Sequence, residues 1–222
     1  MAKSPDRPFV PKDEQMALMP ETSGNTINGV DETEHRRAKP IYWHNPDTLA
    51  HGKLQQWFYT QNADNRHIIK AREDRANILA IELPPVAPKQ VQQSANKWTE
   101  QLHAYSETLD MELFGITAFK PEWAFEGIKI RQKWVIMIGV AHDYEKIKEA
   151  PALTAGAEVV RQYGRGTKAA KEIASWIRER GWEAIVHAGP MAGPLLLIPP
   201  AIECGFGELG KHGSIINKEF GS

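Results

Sequence analysis

The chain has 222 residues, 41% of them hydrophobic and 9% aromatic, which is enough for one sizeable core and too apolar for a wholly disordered protein. Its 27 basic and 28 acidic residues leave a net charge of -1, which excludes a general polyanion binder and with it bulk affinity for nucleic acid. A lone cysteine, Cys204, excludes an internal disulfide and any cysteine-rich zinc or iron–sulfur site built from this chain alone.

Residues 1–40 are rich in proline and charge and hold one aromatic, Phe9, so they read as a flexible arm without the apolar surface to offset chain entropy. Met1 to Pro11 has neither an apolar stretch nor a twin-arginine signal, and no later apolar run is long enough to span a bilayer. The expectation is a cytoplasmic protein with no membrane partner. Residues 41–90 gain aromatics (Tyr42, Trp43, Trp57, Phe58, Tyr59) without a clean period and read as an irregular cover segment.

From residue 91 to 222 the pattern is that of an α/β domain. Ala95, Trp98, Leu102, Tyr105 and Leu109 recur at steps of three and four and predict a helix over 91–109. Phe114–Ala118 reads as a short strand. Pro121 then interrupts, and Lys133–Ala141 forms a nearly unbroken apolar run suited to a central strand buried on both faces. A second helix is predicted from Ala155 to Arg180, stopped by Gly181, and Glu183–Val186 reads as the next strand. Strands alternating with long helices predict a layered sheet flanked by helices.

Residues 187–222 change character, with Gly189, Gly193, Gly205, Gly207, Gly210, Gly213 and Gly221 set among prolines and an apolar Leu195–Ile198 stretch. Such a segment can let backbone approach a large ligand, or can be a set of ordinary turns. Gly205-Phe-Gly-Glu-Leu-Gly210 matches the dinucleotide spacing G-x-G-x-x-G, yet no clear strand precedes it and no helical pattern follows, so that reading is weak. His142, His187 and His212 lack the H-x-x-x-H spacing of a helical metal site, and no metal is expected.

The run Gly205-Phe-Gly-Glu-Leu-Gly-Lys-His-Gly-Ser-Ile-Ile-Asn-Lys-Glu-Phe-Gly221 resembles the A-G-L-G-x-x-G-(R/K)-x-G-L-L-I-x-x-x-(F/Y)-G signature of corrinoid-dependent reductive dehalogenases and the related epoxyqueuosine reductases. Upstream, Phe114-Gly-Ile-Thr, Pro121-Glu-Trp-Ala-Phe125, the Trp134–Val140 strand, His142-Asp-Tyr and the helix containing Arg161-Gln-Tyr163-Gly-Arg165 are similar to that family in order and spacing. The resemblance covers about residues 110–222. It implies a nitroreductase-like layered sheet that binds cobalamin with its lower base displaced, and reductive dehalogenation of an organohalide.

The resemblance further implies Tyr163 as proton donor. A phenol near pKa ~10 donates poorly unless a cation such as Arg165 lowers that value, and the alternative is a tyrosine that only continues its helix face. His187 stands where relatives carry Asn or Asp, as a second donor or as a residue that orders its loop. Gly189, Met191, Gly193, Gly205, Gly207, Leu209, Gly210, His212, Gly213 and Ser214 are the implied corrinoid contacts, with His212 a hydrogen bonder to the corrinoid tail. The family's 4Fe–4S clusters and its iron–sulfur domain have no counterpart in residues 1–222, so electrons are expected from a donor protein or from a ferredoxin-like domain outside them. The rival readings are an epoxyqueuosine-reductase-like enzyme and a corrinoid carrier that binds without turnover.

Overall fold

The computed structural model describes residues 12–19, 37–39, 45–48, 52–60, 64–187 and 193–221. They divide into two units. The first draws on residues 1–36 and 40–63, and its described helices are α1 (Asp13–Met16) and α2 (Gly52–Thr60). In it a short turn at Pro46–Thr48 sits directly on Gly52, where the Pro46 backbone leaves no room for a side chain. Most of the expected arm lies outside the described residues.

The second unit contains residues 37–39 and 64–222. It opens with α3 (Arg66–Ala80), whose first turn is capped by the Asn65 side chain accepting from the His67 and Ile68 amides at 3.0 and 3.3 Å. The cover segment expected to be irregular therefore contains two helices. Their apolar positions carry a weak period because most residues of α3 remain exposed. Packing rather than propensity holds α3 in place against α6 (Leu153–Arg178). Gly156 receives Ile68 and Gly164 receives Ile78, so two small positions on α6 let the helices approach closely.

After α3 the proline-rich residues 81–91 run extended along the second half of α6. Lys171 donates to Leu79 O and Ile81 O, Arg178 Nε to Pro84 O at 2.6 Å, and the Trp182 indole to Val91 O at 3.0 Å. The amides of Ala87 and Val91 donate to Arg178 O and Arg180 O, which satisfies carbonyls that the end of α6 would leave unpaired. Gly181 ends that helix at φ +82°, against the backbone of Lys89 and Gln90.

The sheet is a two-stranded antiparallel pair, β1 (Leu113–Ala118) and β2 (Trp134–Gly139). Side chains alternate across it, and both faces are covered. Phe114, Ile116, Ile136 and Ile138 pack with Leu102, Ile173 and Trp176 under α4 (Ala95–Ser106) and α6. On the other face Leu113, Val135 and Met137 meet Ala201, Phe206 and Ile215, from α7 (Ile198–Glu203) and the small hairpin of β3 (Glu208–Leu209) and β4 (Ile215–Ile216). This two-sided cover explains the unbroken apolar run of β2. Gly115 belongs to the same packing, because a Cβ there would lie 2.5 Å from Cys204 Cβ and 2.8 Å from its Sγ. Gly115→Ala is accordingly expected to lower the melting temperature, whereas Gly127→Ala, whose Cβ would meet nothing, is limited to backbone strain.

Mixed helix with small antiparallel sheets is consistent with the α/β class. Two expectations are corrected. Among the described residues β2 is paired on one side alone, by β1, and is not central, and Glu183–Val186 is extended without being hydrogen-bonded into a ladder of described residues. The sequence signals apolar strand length, but pairing depends on a neighbour that length does not reveal.

Candidate functional site

Tyr163 lies on α6 and is 39% exposed, although its neighbours Gln162 and Gly164 are buried. Thr167, one turn on, donates its hydroxyl to Tyr163 O at 2.6 Å, so the bond holds the backbone and leaves the phenol unengaged by Thr167. Thr167, Lys171 and Arg178 continue this side of the helix into a groove of about 530 Å³, closed by Leu79, Ile81, Leu83 and the extended Ala184–Val186. The groove is mixed in character: its apolar residues stand beside Glu82 and beside Lys171 and Arg178, which are committed to carbonyls of residues 79–84 and 184.

His187 directly follows the groove residue Val186. Its ring lies against Gly193, where a Cβ would stand 2.9 Å from His187 Cγ. The imidazole keeps an exposed edge, and desolvation of the covered part pushes its pKa below the ordinary value. That direction leaves it neutral at pH 7, a hydrogen-bonding group rather than a charged acid. Neither Tyr163 nor His187 lines the groove itself: Tyr163 lies one turn before the lining residue Thr167, and His187 one residue after Val186. Gly193 is anchored through its neighbours: Pro194 O accepts from the Phe125 amide and the Leu196 amide donates to Trp123 O, both at 2.9 Å. The Pro121–Phe125 element is held on its other side by Arg37, which donates to Pro121 O and Ala124 O, and by the Glu126 amide donating to Ala38 O at 2.8 Å. Gly189 and Met191 lie outside the described residues.

Arg165, the cation expected beside Tyr163, is engaged by carboxylates. Its guanidinium bonds Asp110 at 2.8 Å, Glu112 at 2.7 Å and Gln162 Oε1 at 2.9 Å, and the Asp110 bond leads the influences that raise its pKa. Two carboxylates neutralise it. Beside it lies a residue the sequence reading missed, Glu158, which is 0% exposed. Its carboxylate accepts from the Asp143 amide at 2.8 Å, from Gln162 and from Arg161, with Lys146 at 3.9 Å. Burial is the largest influence and pushes its pKa up, but the hydrogen bonds and cations together hold it below the usual carboxylate range. An acid set within Ala155-Gly-Ala-Glu-Val-Val160 was the available signal.

The glycine-rich segment is a hairpin that closes largely on itself. Glu208 pairs with Ile216 and Leu209 with Ile215, while the Gly210 amide donates to Ser214 O at 2.8 Å and the Gly213 amide to Gly210 O at 2.9 Å. Gly207, at φ +155°, abuts Ile216 O and Ile215 Cγ2, and Gly210 lies under the His212 ring, so these two shape the hairpin itself. Gly205 and Gly213, at φ +76° and +81°, face open space. His212 Nδ1 accepts from the Ser214 amide at 3.1 Å, which leaves its Nε2 as a donor. Leu209 is 63% exposed beside them. Gly207→Val should therefore unfold the hairpin as well as block any ligand, whereas Gly213→Ala should retain the hairpin; amide chemical shifts of residues 208–216 distinguish the two outcomes.

Among the described residues no group of three or more His, Cys, Asp or Glu is placed to hold a metal ion. No described helix is long and apolar enough to cross a membrane.

No family model matches the chain. Curated relatives do. A tetrachloroethene reductive dehalogenase of Desulfitobacterium hafniense is 25% identical over 187 residues, covering 75% of this chain and 32% of the relative. One from Dehalobacter restrictus (strain DSM 9455 / PER-K23) is 33% identical over 113 residues, 50% of this chain and 19% of the relative. The chain thus spans about a third of the length of the first of these relatives, at 32%. By sequence it is a distant homologue of reductive dehalogenases, which are oxidoreductases by name.

Proposed function

We propose that the chain is the corrinoid-binding part of a cytoplasmic, reductive dehalogenase-like oxidoreductase with a nitroreductase-like layering, and that Tyr163 holds the proton that replaces the halogen of an organohalide. The similarity to named reductive dehalogenases carries this reading. The exposure of Tyr163, at 39%, supports it, since a proton donor must be reachable.

The hairpin fits a corrinoid in part. Gly205 and Gly213 face open space, so a ligand could approach their backbone directly, and Leu209 and His212 Nε2 add an apolar contact and a donor. Gly207, Gly210 and Ser214 act one step back, by shaping that surface. When bound, the corrinoid supplies a cobalt centre able to pass two electrons to a carbon–halogen bond. In the overall change the carbon–halogen bond breaks, halide leaves, a C–H bond forms with the proton from Tyr163 Oη, and two electrons come from a donor protein. Cys204 alone cannot ligate the 4Fe–4S clusters of such a donor, so another polypeptide segment holds them.

In this scheme Tyr163 returns to its protonated form from solvent, and neutral His187 orders the segment it shares with Gly193. The test is halide release from tetrachloroethene by the cobalamin-loaded chain under a strong chemical reductant. Release well above that of free cobalamin is expected. Tight cobalamin binding with release no faster than free cobalamin would favour the carrier reading instead.

A further inference from the structure

Residues 37–39 fall within the arm expected to be flexible, yet all three are tied to residues 121–126. Arg37 Nη1 donates to Pro121 O and to Ala124 O, the latter at 3.3 Å. Ala38 O accepts from the Glu126 amide at 2.8 Å, and Lys39 Nζ lies 2.8 Å from the Glu126 carboxylate. In sequence these three residues are flanked on both sides by the first unit, but they pack with the second.

Successive backbone groups of an extended stretch point to opposite sides. The Phe125 amide and Trp123 O face one way and bond Pro194 O and the Leu196 amide, which forms the antiparallel bridge of Ala124 with Leu195. Ala124 O and the Glu126 amide face the other way, toward residues 37–39. Residues 121–126 therefore run between two partners. Trp123 and Ala124 are 4% and 2% exposed, so the stretch is packed and passes a constraint from one side to the other. Among the described residues Arg37 is the one donor to Ala124 O, and a buried carbonyl left without a donor is costly. At the far end of this chain of contacts, the backbone of Gly193 lies against the His187 ring.

We propose that residues 37–39 form a strap that positions His187, with Arg37 as its anchor. The strap holds residues 121–126, these hold residues 194–196, and the adjoining Gly193 holds the imidazole. Arg37 acts through other residues and is a positioning residue. Lys39 adds little, because its pair with Glu126 is exposed on both sides. This role holds whether or not the chain binds a corrinoid.

NMR of the full 222-residue chain reads each link. Arg37→Met keeps the stem and removes the donor. Amide exchange at Glu126, Phe125 and Leu196 should then speed up by about tenfold or more, while Ile173 and Ala174 in α6 keep their protection. The titration midpoint of His187 should rise toward its ordinary value of about 6.5, because the burial that lowers it is relaxed. Arg37→Lys retains a cationic donor and should restore most of the parent behaviour, and Lys39→Ala should change neither readout. Faster exchange at Glu126 and Leu196 with an unmoved His187 midpoint would overturn the positioning role. So would parent-like exchange in Arg37→Met. Loss of protection in α6 as well, or an Arg37→Lys variant no better than Arg37→Met, would make Arg37 a general stabiliser and overturn it too.

Discussion

Tyr163→Phe should cut dehalogenation by about a hundredfold to ten-thousandfold, the usual contribution of a positioned general acid, while leaving cobalamin affinity and melting temperature nearly unchanged. The substitution removes one oxygen from a side chain that is 39% exposed. The hydroxyl of Thr167 bonds the backbone carbonyl of Tyr163 rather than its phenol, so the turn of α6 survives in the variant. His187→Gln is the matched control, because it keeps a hydrogen-bonding group and removes the imidazole. With His187 pushed towards neutrality by its partial burial, its loss should lower the rate far less than that of the Tyr163 phenol. Initial-rate kinetics with tetrachloroethene separate the two. A large fall in rate for His187→Gln and none for Tyr163→Phe would put the donor on the segment after α6 instead of on α6.

The largest effect on stability is expected at Glu158. Glu158→Ala should destabilise the protein by about 1–3 kcal/mol, since it leaves Gln162 and the Asp143 amide without their acceptor while Arg161, half exposed, turns to solvent. The Asp143 side chain caps α5 (Tyr144–Ile147) by accepting from the Glu145 amide at 3.1 Å, so the loss should spread into the connection between β2 and α6. The pH dependence has a definite sign. A carboxylate held below its unfolded pKa, about 4.3 for glutamate, stabilises the fold fully above that value and ceases to do so as pH falls through the folded pKa. Glu158→Gln keeps the shape and removes the titration, so its urea midpoint should change less than that of the parent between pH 7 and pH 3. Equal acid slopes for parent and variant would remove Glu158 as a source of acid sensitivity.

The helices α4 and α6 were legible because their apolar positions recur at helical spacing and their caps and stops obey local rules: Ser94 accepts from the Lys97 amide at 3.3 Å, and Gly181 adopts the positive φ expected past a helix end. β1 and β2 were legible as apolar runs, but their pairing was not. Helix α3 was hidden because its stability comes from Gly156 and Gly164 across the seam rather than from a strong face of its own. At the site, Tyr163 and His187 were readable as candidates, while the groove between α6 and residues 184–186 depends on the return of that segment past the helix. The partners of Arg165, Asp110 and Glu112, lie more than fifty positions away in sequence and could not be read from its neighbours. Glu158 was invisible for the same reason: a buried carboxylate is recognised by its partners, and those are assembled by the fold.

The measurement closest to the central claim is a titration of base-on cobalamin with the purified chain, followed by visible absorption. The proposed contact surface of Gly205, Leu209, His212 and Gly213 predicts a saturable shift to the base-off spectrum, retained in Tyr163→Phe and weakened in Gly213→Val. A base-on spectrum that stays unchanged at saturating protein would contradict the corrinoid reading of this chain.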